Sequence, residues 1–127
     1  MDTRNIARTE EVLLQTATVI TAAETQIGRN VDISWCNTVT ICVNYTNGDE
    51  TSYDIIPKFV ISGDDVPIGY WSTGAIQTFT ATKFQMTTTG TYYLTLIVTG
   101  FSTIKIYGDA TGGTPTGTAK VTLTLSS

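Results

Sequence analysis

The chain has 127 residues, enough for one domain with a core of its own and too few for two. Hydrophobic residues make up 41% and charged residues only 14%, and Thr is the commonest residue, which excludes a disordered chain and favours a β-rich fold with a hydroxyl-covered surface. The net charge of −4, with seven Lys and Arg scattered along the chain, offers no basic patch to a phosphate backbone, so nucleic acid is not an expected partner.

Met1–Arg8 is not followed by the continuous apolar stretch of an export signal, and no later run approaches the roughly 20 apolar residues of a membrane helix. A protein made without classical export and without a membrane partner is the expectation. Arg8–Gln15 has the composition for two helical turns, whereas Thr16–Ala22 is β-branched. The preferred division is a mobile arm, residues 1–8, and one domain over 9–127 that opens in extended structure.

Between Val31 and Tyr45 the apolar residues Val31, Ile33, Trp35, Val39, Ile41, Val43 and Tyr45 all take odd positions. A period of two turns one side of a strand to a core. Asn37 interrupts the series, so the segment reads either as one long bulged strand or as two strands bent around Asn37–Thr38. Asn47-Gly48 supplies residues that tolerate positive φ and predicts a type I′ reversal. Tyr53, Ile55, Pro57, Phe59 and Ile61 then resume the odd alternation, as if to pair back on the first run, with Pro57 placed at an edge or a bulge because it has no N–H to donate.

Ser62-Gly-Asp-Asp65 reads as a second turn. Strands are predicted at Tyr70–Trp71, Ile76–Met86, Tyr92–Val98, Thr103–Tyr107 and Ala119–Leu125, and an exposed loop at Gly108–Gly117. Without helical patterns between them, about eight strands indicate an all-β antiparallel sandwich of jelly-roll or immunoglobulin-like type.

The chemistry available is narrow. The chain has no His, which removes the commonest general base and metal ligand. Asp49 with Glu50 and Asp64 with Asp65 are the paired carboxylates, each in a turn where capping of backbone amides is the ordinary role. No stretch has the spacing of a calcium loop, so neither a metal nor a cofactor is expected, and no enzyme activity. Cys36 and Cys42 on one continuous strand would stand about 20 Å apart, beyond the reach of a disulfide. A tight reversal at Asn37–Thr38 would allow one, and two reduced thiols are favoured. Asn44-Tyr-Thr46 matches a glycosylation sequon by chance, and Tyr70-Trp71 is the aromatic pair left free of the core pattern to stack on a sugar, with core packing the favoured reading even there.

The segment Val43-Asn-Tyr-Thr-Asn-Gly-Asp-Glu-Thr-Ser-Tyr53, followed after a long interval by Gly112-Gly-Thr-Pro-Thr-Gly-Thr118 and a last strand, resembles small structural proteins encoded by tailed bacteriophages. The similarity spans roughly residues 39–125 and departs from the pattern at Ile61-Ser-Gly-Asp-Asp65, where a Ser-x-Asp-Gly turn near a Trp is more usual. The resemblance implies a virion component assembled in the bacterial cytoplasm. Its first form is a capsid decoration (auxiliary) protein that stabilises the head shell, partnered by the major capsid protein or other virion proteins and self-associating, with a trimer as the guess. A head–tail connector or tail protein is the alternative, and a carbohydrate-binding module is the alternative of another class. The interaction residues expected on this reading are Arg4, Ile6 and Arg8 in the arm, Asn47, Asp49 and Glu50 in the first loop, and Thr114 and Pro115 in the last.

Overall fold

Alternating side chains along each strand give every sheet one apolar face, and two such faces close on each other. A computed structural model describes residues 7–67 and 83–127, and in it the strands are β1 (Thr9–Val19), β2 (Thr25–Asp32), β3 (Thr38–Thr46), β4 (Ser52–Ile61), β5 (Asp64–Pro67), β6 (Phe84–Met86), β7 (Gly90–Ile97), β8 (Thr103–Thr111) and β9 (Thr118–Ser126). The first sheet runs β1-β9-β3-β7 and the second β2-β8-β4-β5, with β6 also on β4. All the pairings are antiparallel, and the fold is a β-sandwich.

In the first sheet Val12, Leu123, Ile41 and Leu94 lie in one row across the four strands. They face Ile27, Val31, Ile55, Phe59, Ile104 and Ile106 of the second sheet within one core. Tyr45 on β3 and Tyr53 on β4 stack across the core with ring centroids 5.7 Å apart. The Tyr53 hydroxyl lies over Gly108, where any Cβ would collide with it at 2.1 Å, so the absence of a side chain at Gly108 makes room for this ring.

The topology decides between one pair of alternatives and corrects two expectations. First, Val31–Tyr45 is two bent strands and not one bulged strand. The chain leaves the second sheet after Asp32 and enters the first at Thr38, turning through Ile33–Asn37 with the Cys36 N–H donating to the Ile33 carbonyl at 2.9 Å. The odd alternation lapses in the bend, where Cys36 is buried and Asn37 exposed, and resumes in phase on β3 because both sheets face the same core. Cys36 is buried in that bend, Cys42 faces outward on β3, and both are free thiols. Secondly, Asn47-Gly48 does not fold β4 back onto β3. It carries the chain from one sheet to the other, and neither residue has positive φ. Thirdly, the segment from Gly108 is not loop throughout, since β8 continues to Thr111 before Gly112 and Gly113 turn with φ of 85° and 63°.

The type I′ geometry occurs instead at Ser62-Gly63, where φ is 52° and 84° and Ile61 pairs with Asp64. Pro57 pairs with Ile106 of β8, and on its other side it falls in the gap between the β6 pairings, which end at Ile55, and those of β5, which begin at Lys58. The interruption it was expected to mark is therefore inside β4's second flank. The strand expected at Tyr70–Trp71 and most of Ile76–Met86 lie outside the described residues, and Phe84–Met86 is β6.

Ser62 occupies a left-handed conformation that costs a side chain with a Cβ free energy, while Asn adopts it readily. Ser62→Asn should therefore raise stability by about 0.5 kcal/mol, read as a higher denaturation midpoint with unchanged m-value.

Candidate functional site

The two loops that carry the sequence motifs are far apart in the chain and come together at one end of the sandwich. β3 and β9 are neighbours, so the loop leaving β3 at Thr46 and the loop entering β9 at Thr118 must start side by side. Gly48 and Gly117 let the two backbones touch. A Cβ on Gly48 would meet the Gly117 nitrogen at 2.3 Å, and one on Gly117 would meet the Thr46 carbonyl oxygen at 2.6 Å.

Between the loops lies the Glu50 carboxylate, 3% exposed. Its Oε2 accepts from the Tyr45 hydroxyl at 2.5 Å and from the Gly48 N–H at 2.8 Å. Its Oε1 accepts from the Thr116 N–H at 3.1 Å and the Gly117 N–H at 2.9 Å. Both oxygens are thus filled, one from each loop. The Asp49 N–H adds a bond to Thr116 Oγ1 at 2.9 Å, and the Thr51 N–H reaches the Thr111 carbonyl at 2.8 Å. Asn47 braces the other side, donating through Nδ2 to the Tyr45 hydroxyl at 2.9 Å and through its backbone N–H to Thr89 Oγ1 at 2.9 Å.

Burial alone would raise the Glu50 carboxyl, but the bonds from Tyr45, Gly48 and Gly117 outweigh it and hold the group at about 2. Burial and the Glu50 carboxylate push the Tyr45 hydroxyl up to about 12, so it remains a donor. Glu50 is therefore a buried, ionised clasp between the two loops.

The expected interaction residues separate on this geometry. Asn47, Asp49, Glu50, Thr114 and Pro115 do belong to one end of the molecule. Asp49 and Thr114 are exposed, Asn47 and Pro115 are half-buried, and Glu50 is internal, which corrects its expected place on a contact surface. Arg8 is anchored: its N–H donates to Ser127 Oγ at 2.8 Å, its carbonyl accepts from the Ser127 N–H at 3.0 Å, and its guanidinium lies 4.0 Å over the Trp35 ring. Arg8, expected in the mobile arm, is thus held to the sandwich. Arg4, Ile6, Tyr70 and Trp71 lie outside the described residues. Arg8, Arg29, Asp32 and Trp35 line a cleft of about 190 Å³ at the β1–β2 edge.

The second carboxylate pair also divides. Asp64 is exposed, whereas Asp65 accepts from Lys105 and from the Tyr107 hydroxyl at 3.0 Å, bonds that lower its carboxyl. Nothing in the sequence pattern marks Asp54, yet it is buried on the outer side of β4 beside Asp109, and burial raises its carboxyl. Among the described residues no group of three or more His, Cys, Asp or Glu could hold a metal ion.

No family model and no curated protein matches the chain. Among solved structures it is similar to the crystal structure of the SPBc2 prophage-derived protein YomS, with a TM-score of 0.62 and 15% identity over 100% of both chains. At that identity the likeness establishes the fold.

A carboxyl held at about 2 in the fold and near its ordinary 4.5 in the unfolded chain corresponds to roughly 3 kcal/mol of stability. The contribution is complete above pH 4.5 and disappears as the pH falls toward 2, because protonation then favours the unfolded chain. Glu50→Gln keeps the shape but turns an amide N–H₂ toward two donors. It should cost about 2–4 kcal/mol at pH 7 in urea unfolding, with a much smaller deficit at pH 2.5.

Proposed function

We propose that this protein is a structural component of a tailed-bacteriophage particle, and specifically a capsid decoration protein that binds the head shell and stabilises it. The observation that carries the reading is the end-to-end match of the fold, over 100% of both chains, to a prophage-derived protein. It agrees with the sequence resemblance, whose two motifs are the two loops clasped by Glu50. A decoration protein works by adding contact area to a shell under pressure, so it needs a stiff body with fixed loops and no moving parts. The clasp supplies that stiffness at one end, and Asp49 and Thr114 are exposed on it as groups able to meet a capsid surface.

On this reading the protein is made and assembled in the bacterial cytoplasm, where Cys36 and Cys42 stay reduced, and it ends in the virion without catalytic duty. Its partner is the major capsid protein. Quantitative mass spectrometry of purified particles should find it in many copies relative to the portal. Particles assembled without it should release their DNA at a lower temperature. Absence from the particle overturns the proposal, and a handful of copies per particle would move it to the head–tail connector or the tail.

A further inference from the structure

A sheet edge is a row of unpaired N–H and C=O groups, and proteins protect such edges with charges, proline, bulges or brevity. Among the described residues, the edges formed by β1, β2 and β5 are protected in these ways. β1 carries Glu10 and Glu11 and has register shifts between Leu13 and Gln15 and again before Thr18. β2 is broken between Ile27 and Val31, at Gly28-Arg-Asn30. β5 carries Asp64, Asp65 and Pro67.

β7 has none of this protection. It pairs with β3 without a register shift from Thr38↔Ile97 to Tyr45↔Gly90, and among the described residues no strand lies on its other edge. From Phe84 to Ile104 the sequence contains no charged residue and no Pro. Tyr93 and Ile97, on the outward side of β7, are 68% and 79% exposed, the two most exposed large hydrophobic residues described. Thr95 stands between them and is tied back to Thr40 at 2.9 Å.

We infer that this edge joins a second copy of the same chain, β7 against β7 in antiparallel register about a two-fold axis at Thr95. The edge is self-complementary, which selects a second copy as its occupant. Directly opposed residues in an antiparallel pair share a face, so Thr95 opposite Thr95 puts Tyr93 of each copy opposite Ile97 of the other. Both exposed apolar residues are then covered, each in a favourable aromatic–β-branched pair, and Leu94 meets Leu96 on the inner side. The chain's net charge of −4 raises no repulsion at the seam, which has no charge of its own. The isologous contact closes on itself and converts two four-stranded sheets into one of eight strands.

The test uses the whole chain with Cys42 changed to Ser. Thr95→Cys should form an intermolecular disulfide on mild oxidation at least about tenfold faster than Thr18→Cys on the opposite edge, because paired Cβ atoms across the axis stand about 5 Å apart. The unmodified chain should sediment as a dimer at tens of micromolar. Thr95→Lys, which sets two ammonium groups face to face, should weaken dimerisation at least about tenfold, while the far-UV circular dichroism spectrum of the fold stays that of the unmodified chain when both are dilute enough to be monomeric. A monomer at every concentration, equal cross-linking at the two edges, or a dimer indifferent to Thr95→Lys overturns the inference. None of these results bears on whether the protein is in the particle, which mass spectrometry decides separately.

Discussion

One buried carboxylate fixes the end of the sandwich where the chain's two most distinctive segments meet. Among the described residues no cation pairs with Glu50. Its charge is balanced by three backbone N–H groups and one hydroxyl, arriving from both loops. This is the condition under which an internal charge is stable: several short charge-assisted hydrogen bonds in fixed directions compensate for lost hydration. The rest of the local sequence follows from it. Gly48 and Gly117 are there because the two backbones approach too closely for a Cβ, and Tyr45 must be a tyrosine because its ring fills the core while its hydroxyl reaches the carboxylate. Through the Tyr45–Tyr53 stack the same arrangement extends to the second sheet.

The strands were readable because alternation is a local signal. Tyr92–Val98 and Ala119–Leu125 emerge within a residue or two of β7 and β9, and the odd positions from Val31 to Tyr45 are core positions apart from the half-buried Trp35 and the exposed Asn37 in the bend. The partnering of strands was not readable. In this topology six connections cross from one sheet to the other, and only Ser62-Gly63 closes a hairpin within a sheet among the described residues. A rule that joins neighbouring strands through an Asn-Gly turn therefore fails at Asn47-Gly48. Nothing in its local sequence distinguishes a crossing from a reversal.

The site was half legible for the same reason. Both motifs were visible, and their joint position was not, because it depends on β3 and β9 being neighbours across more than seventy residues of chain. Taken one at a time, Asn47–Glu50 and Gly112–Gly117 look like exposed turns offered to a partner. Together they are partners of each other, and what remains for outside contact is the surface of the joined pair. A signal was present in Glu50 itself, the acidic residue directly before the resumed β alternation, but a turn carboxylate caps amides so often that the sequence does not reveal which amides.

The central claim is that the carboxylate of Glu50 makes two loops into one rigid end, and amide hydrogen exchange measures this residue by residue. Loop amides open to water exchange near the free rate, whereas amides held in the fold exchange only when the structure opens. The account predicts that the amides of Gly48, Thr116 and Gly117 are protected to the same degree as those of Val43 and Val121 in the adjoining strands. Exchange of those three amides at loop-like rates, with the strands still protected, would contradict it.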